Sequence, residues 1–135
     1  MKFMLMMNAP GPGQGGEWEV ANWKPEELKA HIGFMMQFNK DLRSEGVFVG
    51  AEGLAPPAQA RIVRAPRTGT APEVTDGPFA ESKEFLAGYW IVDVDSPAQA
   101  YEIAARASAA PGPGGKPLCM PIEVREVGSA PPCDP

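Results

Sequence analysis

The sequence has few of the residues that metal sites and disulfide frameworks need. It holds one histidine and two cysteines in 135 residues. Cys119 and Cys133 lie among prolines without the spacing of a zinc motif, which predicts free thiols. The glycine-rich segment 9–16 contains neither G-x-G-x-x-G nor a following Lys-Ser/Thr pair, so it lacks the signature of a phosphate-binding loop. We therefore expect neither a metal site nor a cofactor.

Basic charge and long apolar runs are scarce as well. The formal net charge is −5, with 12 basic against 17 acidic residues, and a protein that binds phosphate backbones usually carries a basic stripe. Five apolar residues follow Lys2 before Asn8, a run too short for the core of a signal peptide or for a membrane span. We expect a cytoplasmic protein that binds neither nucleic acid nor membrane.

Glycine and proline, by contrast, are abundant. The 15 glycines and 16 prolines cluster between segments with regular hydrophobic patterns, where they mark loops. The length fits one domain with a small core. We predict a single domain over residues 1–128, followed by a disordered, proline-rich tail over residues 129–135.

The first half of the chain predicts a strand, a long helix and a second strand. Residues 2–7 form an apolar run typical of a central strand. Pro25 suits the first turn of a helix that ends near Glu45, because Gly46 is a good residue to follow a helix. Residues 47–49 predict the next strand, with an irregular end over 50–54. The helix has a broad apolar arc, wide enough for a sheet and a second neighbour: Leu28, Ile32, Met35, Met36, Phe38 and Leu42.

The second half predicts a hairpin, a strand, a helix and a last strand. Residues 61–64 and 73–75 alternate as hairpin partners, and residues 88–94 form the best strand, with Trp90, Val92 and Val94 on one face. Ser96 caps a helix that ends before Pro111, and residues 121–127 form the last strand. This order predicts an α+β, ferredoxin-like antiparallel sheet with two helices on one face. The other face is left bare, which favours a homodimer; its apolar residues are Met4, Met6, Tyr89 and Ile91.

Two polar residues fall inside the apolar arc of the first helix. A polar group at such a position needs a hydrogen-bond partner, or it costs about 1–3 kcal/mol. Asn39 lies near the centre of the arc, and His31 lies one turn after Glu27, whose carboxylate could hold one ring nitrogen. His31 is therefore either a half-buried structural histidine or a general acid/base.

A stretch in the middle of the chain resembles a known family. The nine residues from Asp76 to Glu84, DGPFAESKE, followed by GYWIV from Gly88, resemble the signature of the DGPF family of YCII-related proteins. The resemblance implies a ferredoxin-like fold that dimerises into an α/β barrel, with a cleft suspected to be an active site, and it implies no known reaction. The related YciI branch is associated with a His–Asp pair, and its histidine position falls on Met35, one turn after His31.

Two functions remain open on these grounds. One is an enzyme or small-molecule-binding protein, in which Asp76 or His31 transfers a proton at a cleft between the sheet and the first helix. The other is a non-catalytic dimeric regulatory or accessory module, in which Asp76 caps its own turn. In the first reading the candidate substrate-binding residues are Glu52, Phe79, Glu81, Lys83 and Tyr89.

Overall fold

The computed structural model describes residues 1–10, 22–79 and 84–129. Within them the elements follow the predicted order of strand, helix, strand, hairpin, strand, helix and strand. The strands and helices are β1 Lys2–Pro10, α1 Pro25–Ser44, β2 Phe48–Gly53, β3 Arg61–Arg64, β4 Glu73–Asp76, β5 Glu84–Asp93, α2 Pro97–Ser108 and β6 Ile122–Glu126.

Four of the strands form one antiparallel sheet in the order β2-β5-β1-β6. With one helix after the first strand and one before the last, this is the ferredoxin-like arrangement that the sequence predicts. Among the described strands, β3 and β4 pair only with each other and form a separate hairpin. The hairpin is therefore a unit of its own, and residues on it do not belong to the four-stranded sheet.

Both helices pack on one face of the sheet and share one core. Trp90 and Val92 are buried there, so the face predicted for β5 is confirmed. Small residues let α2 lie close to the strands. The core residues are Phe3, Leu5, Trp90 and Val92 from strands, Phe38 and Leu42 from α1, and Ala100, Ile103, Ala104 and Ala107 from α2.

The helix ends follow the local signals in the sequence. Helix α1 begins at Pro25 with two acidic residues in its first turn, where they interact favourably with the helix dipole. After its last turn Gly46 adopts φ 76°, a left-handed conformation that glycine accepts at low cost. Helix α2 is capped by Ser96, whose hydroxyl accepts a hydrogen bond from the Gln99 N–H at 3.3 Å.

Strands β2 and β5 are longer than the sequence indicates. Strand β2 continues to Gly53, through the segment that we expected to be irregular, and β5 begins at Glu84. The glycines permit this pairing, because a Cβ on Gly88 would lie only 2.9 Å from the Glu52 carbonyl oxygen. Because Gly88 has no side chain, the backbones of β2 and β5 can approach each other, and the hydrogen-bonded pairing of these two strands continues to Gly53.

The apolar arc of α1 is covered only in part. Phe38 and Leu42 are buried, whereas Ile32 is 49% exposed and Met36 is 59% exposed. The second neighbour that the wide arc predicts is not found in the described part of the chain.

The face of the sheet opposite the helices is open. Its rows run across the strands through Met4 and Ile91 and through Met6 and Tyr89, all of them half-buried. Charged residues flank this apolar centre on the outer strands: Glu52 on β2, and Glu123 and Arg125 on β6. Among the described helices, none has the length and apolar character needed to cross a membrane.

Candidate functional site

A cleft of about 310 Å³ lies between α1 and the sheet, at the side where β2 forms the edge. This volume is at the lower end of the range of small-molecule sites. Its described lining consists of Met7, His31, Met35, Asn39, Ala51, Glu52, Gly53, Ala87, Gly88, Tyr89 and Trp90.

One stripe of α1 forms the roof of the cleft. His31, Met35 and Asn39 line it, and residues spaced by four lie on one face of a helix. Below them the floor is low because Gly53 and Gly88 are paired on adjacent strands and carry no side chains. The cleft therefore exists because a helical stripe with two polar residues faces a part of the sheet that lacks bulk.

His31 is held at one ring nitrogen. Its Nδ1 lies 2.9 Å from the carbonyl oxygen of Pro111, and the ring of Trp23 meets it edge-on at 5.3 Å between centroids. A carbonyl oxygen only accepts hydrogen bonds, so Nδ1 carries the proton and donates. In the neutral imidazole, Nε2 is then the acceptor.

Glu27 does not bridge to His31, as one reading of the sequence had it. Its carboxylate accepts hydrogen bonds from the backbone N–H of Lys24, at 2.9 Å, and from that of Gly114. These two bonds, that from Gly114 foremost, stabilise the charged form and lower the pKa of Glu27. Glu27 thus attaches α1 to the loop that also supplies the partner of His31.

Asn39 finds the partner that its position in the apolar arc requires. Its Oδ1 accepts a hydrogen bond from Trp90 Nε1 at 2.9 Å, and Trp90 is only 5% exposed. This bond joins the roof of the cleft to its floor, because Asn39 lies on α1 and Trp90 on β5.

Replacing Asn39 by leucine is expected to lower the free energy of unfolding by about 1–3 kcal/mol, because the buried Trp90 N–H is left without an acceptor. Gln37→Leu is the matched control: its amide also makes a hydrogen bond, to Asp41, but at the exposed surface. Urea unfolding measures both variants. Equal stability of the two would show that the Trp90 bond contributes nothing beyond an exposed one.

Glu52 and Tyr89 also line the cleft and are paired across β2 and β5. Side chains alternate along a strand, so Tyr89 leaves the sheet on the face opposite Trp90. Glu52, as the partner of Tyr89 in the ladder, shares that face. These two residues therefore connect the cleft with the open face of the sheet.

Asp76 and Phe79 do not line this cleft. Asp76 ends β4, its side chain is 94% exposed, and its carboxylate lies 3.6 Å from Arg61 Nε on the paired strand. Phe79 is 64% exposed and borders a shallow depression on the hairpin together with Ile62 and Thr75. The cleft is thus lined by His31, Glu52 and Tyr89, although the side chains of Glu52 and Tyr89 leave on the open face of the sheet. Asp76 and Phe79 lie elsewhere.

The contacts of Gly77 in the hairpin explain why the signature has a glycine at this position. Its N–H donates to the Ala60 carbonyl at 2.9 Å, and a Cβ at this position would lie 3.2 Å from Ala60 backbone atoms. Glu81 and Lys83, the other candidates from the signature, lie outside the described residues, as does the predicted tail beyond residue 129.

The sequence missed several lining residues. The sequence pattern identifies Met7 and Trp90 only as strand residues and Gly53 only as part of an irregular strand end. Met35 does have a signal, because it matches the histidine position of the YciI branch. Among the described residues, no group of three or more His, Cys, Asp or Glu side chains is placed to hold a metal ion. Cys119 is a free, exposed thiol.

Comparison with known proteins identifies one family. No curated protein matches this chain. A family model described as the YCII-related domain matches residues 1–112, which include both helices and every strand except β6. The match covers the cleft and the hairpin, and the chain belongs to the family of YCII-related proteins.

Proposed function

We propose that this protein binds a small organic molecule in the cleft and transfers a proton to or from it, with His31 as the proton-transfer group. One observation carries the proposal: the single histidine lies in a cleft between α1 and the sheet and is fixed through Nδ1. A general base needs a positioned nitrogen near the ligand. The Nε2 atom of His31 has no partner among the described residues and meets that need.

The other candidates take different parts in this proposal. The side chains of Glu52 and Tyr89 leave the sheet on the open face, so in the cleft these two residues contribute backbone, and their side chains would contact only a part of the ligand that extends around the edge strand β2. Glu81 and Lys83 lie outside the described residues and stay substrate-binding candidates on the grounds of the signature alone. Membership of the DGPF branch and a cytoplasmic location belong to the same proposal, supported by the signature and by the composition.

A second candidate function is a non-catalytic accessory module, favoured by the geometry of the signature. Asp76 pairs with Arg61, and Gly77 packs closely on Ala60, so both have local roles that need no ligand. In this case Asp76→Asn would change the free energy of unfolding by less than about 1 kcal/mol, because the ion pair is exposed to solvent, and would leave any binding in the cleft unchanged. The same variant would abolish turnover if Asp76 were the proton-transfer group.

We also propose that two copies form a homodimer through the open face of the sheet. An apolar row bordered by charges supports this arrangement, since an exposed apolar patch of this kind is usually covered by a partner. The resemblance to dimeric α/β-barrel proteins agrees with it.

The test of the proposed function begins with a screen of a metabolite library by thermal shift, followed by mass spectrometry of the hits to detect conversion. His31→Ala is expected to lower turnover of a hit by about 10²- to 10⁴-fold, the usual contribution of a general acid or base, and to lower the free energy of unfolding by no more than about 0.5–1.5 kcal/mol, the contribution of its bond to Pro111. Ile32→Ala, at the exposed neighbouring position, is the control and should retain the wild-type rate. Turnover that survives in His31→Ala would contradict the proposal.

A further inference from the structure

The loop that follows α2 is attached to α1 at two points one helical turn apart. Pro111 accepts the hydrogen bond of His31 Nδ1, and Gly114 donates to the Glu27 carboxylate. Glu27 and His31 are separated by four residues, so they lie on the same side of the helix. We call the two bonds together the loop clamp.

The loop holds its shape through its own backbone. Gly112 N–H donates to Lys116 O at 2.8 Å, and Gly115 N–H donates to Gly112 O at 3.0 Å. Pro111 and Pro117 are bridged as in an antiparallel pair. Because the loop is a closed unit, a bond at Gly114 also fixes the position of the Pro111 carbonyl.

The clamp decides what His31 can offer to a ligand. With Nδ1 donating to Pro111, the neutral ring presents only an acceptor, Nε2. The Asn39 Oδ1 atom, a second acceptor on the same stripe of α1, is already bonded to Trp90. The remaining side chains of the roof and floor are apolar, represented by Met7 and Met35, apart from the Nδ2 donor of Asn39, and bare backbone such as that of Gly53 completes the lining.

We propose that the ligand of this cleft is a small, largely apolar molecule that donates a hydrogen bond from an N–H or O–H group to His31 Nε2, and that Glu27 is the positioning residue that keeps His31 in the accepting tautomer. This inference rests on the proposed function and adds to it the chemical class of the ligand. Glu27 acts through the loop and does not touch the ligand.

The first experiment examines the clamp without any ligand. His31 is the only histidine of the chain, so its ring nitrogens give unambiguous signals in a long-range ¹⁵N–¹H NMR spectrum, measured at a pH where the ring is neutral. We expect a protonated Nδ1 in the wild type, a mixture of tautomers in Glu27→Ala, and partial recovery in Glu27→Gln, whose single amide oxygen can accept from Gly114 only if the bond from Lys24 is given up. Glu26→Ala removes the same charge from the same helical turn, where Glu26 is exposed, and should leave the spectrum unchanged. A protonated Nε2 in the wild type, or a Glu27→Ala spectrum like that of the wild type, would overturn the role of Glu27.

The second experiment examines the ligand class with two probes of nearly the same shape. Indole carries an N–H donor, and benzofuran has an ether oxygen in its place. We expect indole to bind about two- to tenfold more tightly, the effect of one net hydrogen bond, and we expect the difference to vanish in His31→Ala and to shrink in Glu27→Ala. Glu26→Ala should retain it.

The outcomes separate the two proposals. Equal binding of both probes to the wild type would refute the donor requirement and leave the proposed function standing. Tighter binding of benzofuran would refute it as well. Binding of neither probe, together with an empty metabolite screen, would refute the proposed function and the ligand class with it, while the NMR spectrum still decides the role of Glu27.

Discussion

Replacing Gly53 by leucine is expected to weaken ligand binding about 10- to 100-fold, because forcing extra methylene groups into an occupied space costs about 1–3 kcal/mol. Gly53 lines the cleft, and a Cβ at this position meets no atom within 4 Å. It shares the helix-covered face with Ala51, two residues earlier on β2. The leucine side chain therefore fits into the free protein without a clash. It fills part of the cleft, and the ligand needs that volume.

This prediction can be separated from a loss of folding. Gly33→Leu is the matched control, because Gly33 lies on α1, outside the described lining of the cleft, and its Cβ would also meet nothing within 4 Å. Isothermal titration with a hit from the metabolite screen measures affinity, and thermal unfolding measures stability. If Gly53→Leu binds as tightly as Gly33→Leu, the cleft is not the binding site.

The sequence predicts most of the fold because its signals are local. Pro25 and Gly46 delimit α1, Ser96 begins α2, and the alternation around Trp90 and Val92 identifies the buried face of β5. Each signal depends on neighbours within one or two turns or on the alternation of one strand. The helix ends and the buried strand face that these signals predict are therefore the same in the folded domain.

The site is less accessible from the sequence because it depends on contacts between distant segments. The partner of His31 lies at Pro111, separated by 80 residues, and nothing near either residue indicates the pairing. Helical spacing makes Glu27 the expected local partner, but its carboxylate accepts hydrogen bonds from the backbone N–H groups of Lys24 and Gly114 instead. Helical spacing could place His31 and Asn39 on one face; it could not show which loop would meet them.

The position of the signature relative to the cleft is also not predictable from the sequence. Its turn chemistry is local and visible, whereas the position of the turn relative to the cleft depends on how the hairpin leaves the sheet. In the structure Asp76 pairs with Arg61 on the separate two-stranded unit. A two-stranded hairpin alone is marginally stable in water, so the backbone bond from Gly77 to Ala60 has a structural use, to which the solvent-exposed ion pair adds at most about 1 kcal/mol.

Ile91→Lys is expected to convert the proposed homodimer into monomers. Ile91 is half-buried on the open face of the sheet, on the central strand β5, where it is paired with Met4 of β1 and with Gly50 of β2. In a dimer built on this face, a lysine here would place a positive charge against the partner's apolar row. A buried charge without a partner costs about 3–5 kcal/mol, and two-fold symmetry places one such charge in each subunit.

Light scattering coupled to size-exclusion chromatography at micromolar concentration measures the change. Tyr101→Lys is the control, since Tyr101 is 58% exposed on α2 in the helix layer, away from the open face, and should leave the dimer intact. The monomeric variant should keep its secondary structure, because in the single chain the lysine can extend into water. A wild-type protein that is already monomeric would refute the homodimer. An Ile91→Lys variant that remains dimeric would place the interface on another surface, and the exposed Ile32 and Met36 of α1 would then be the next apolar surface to test.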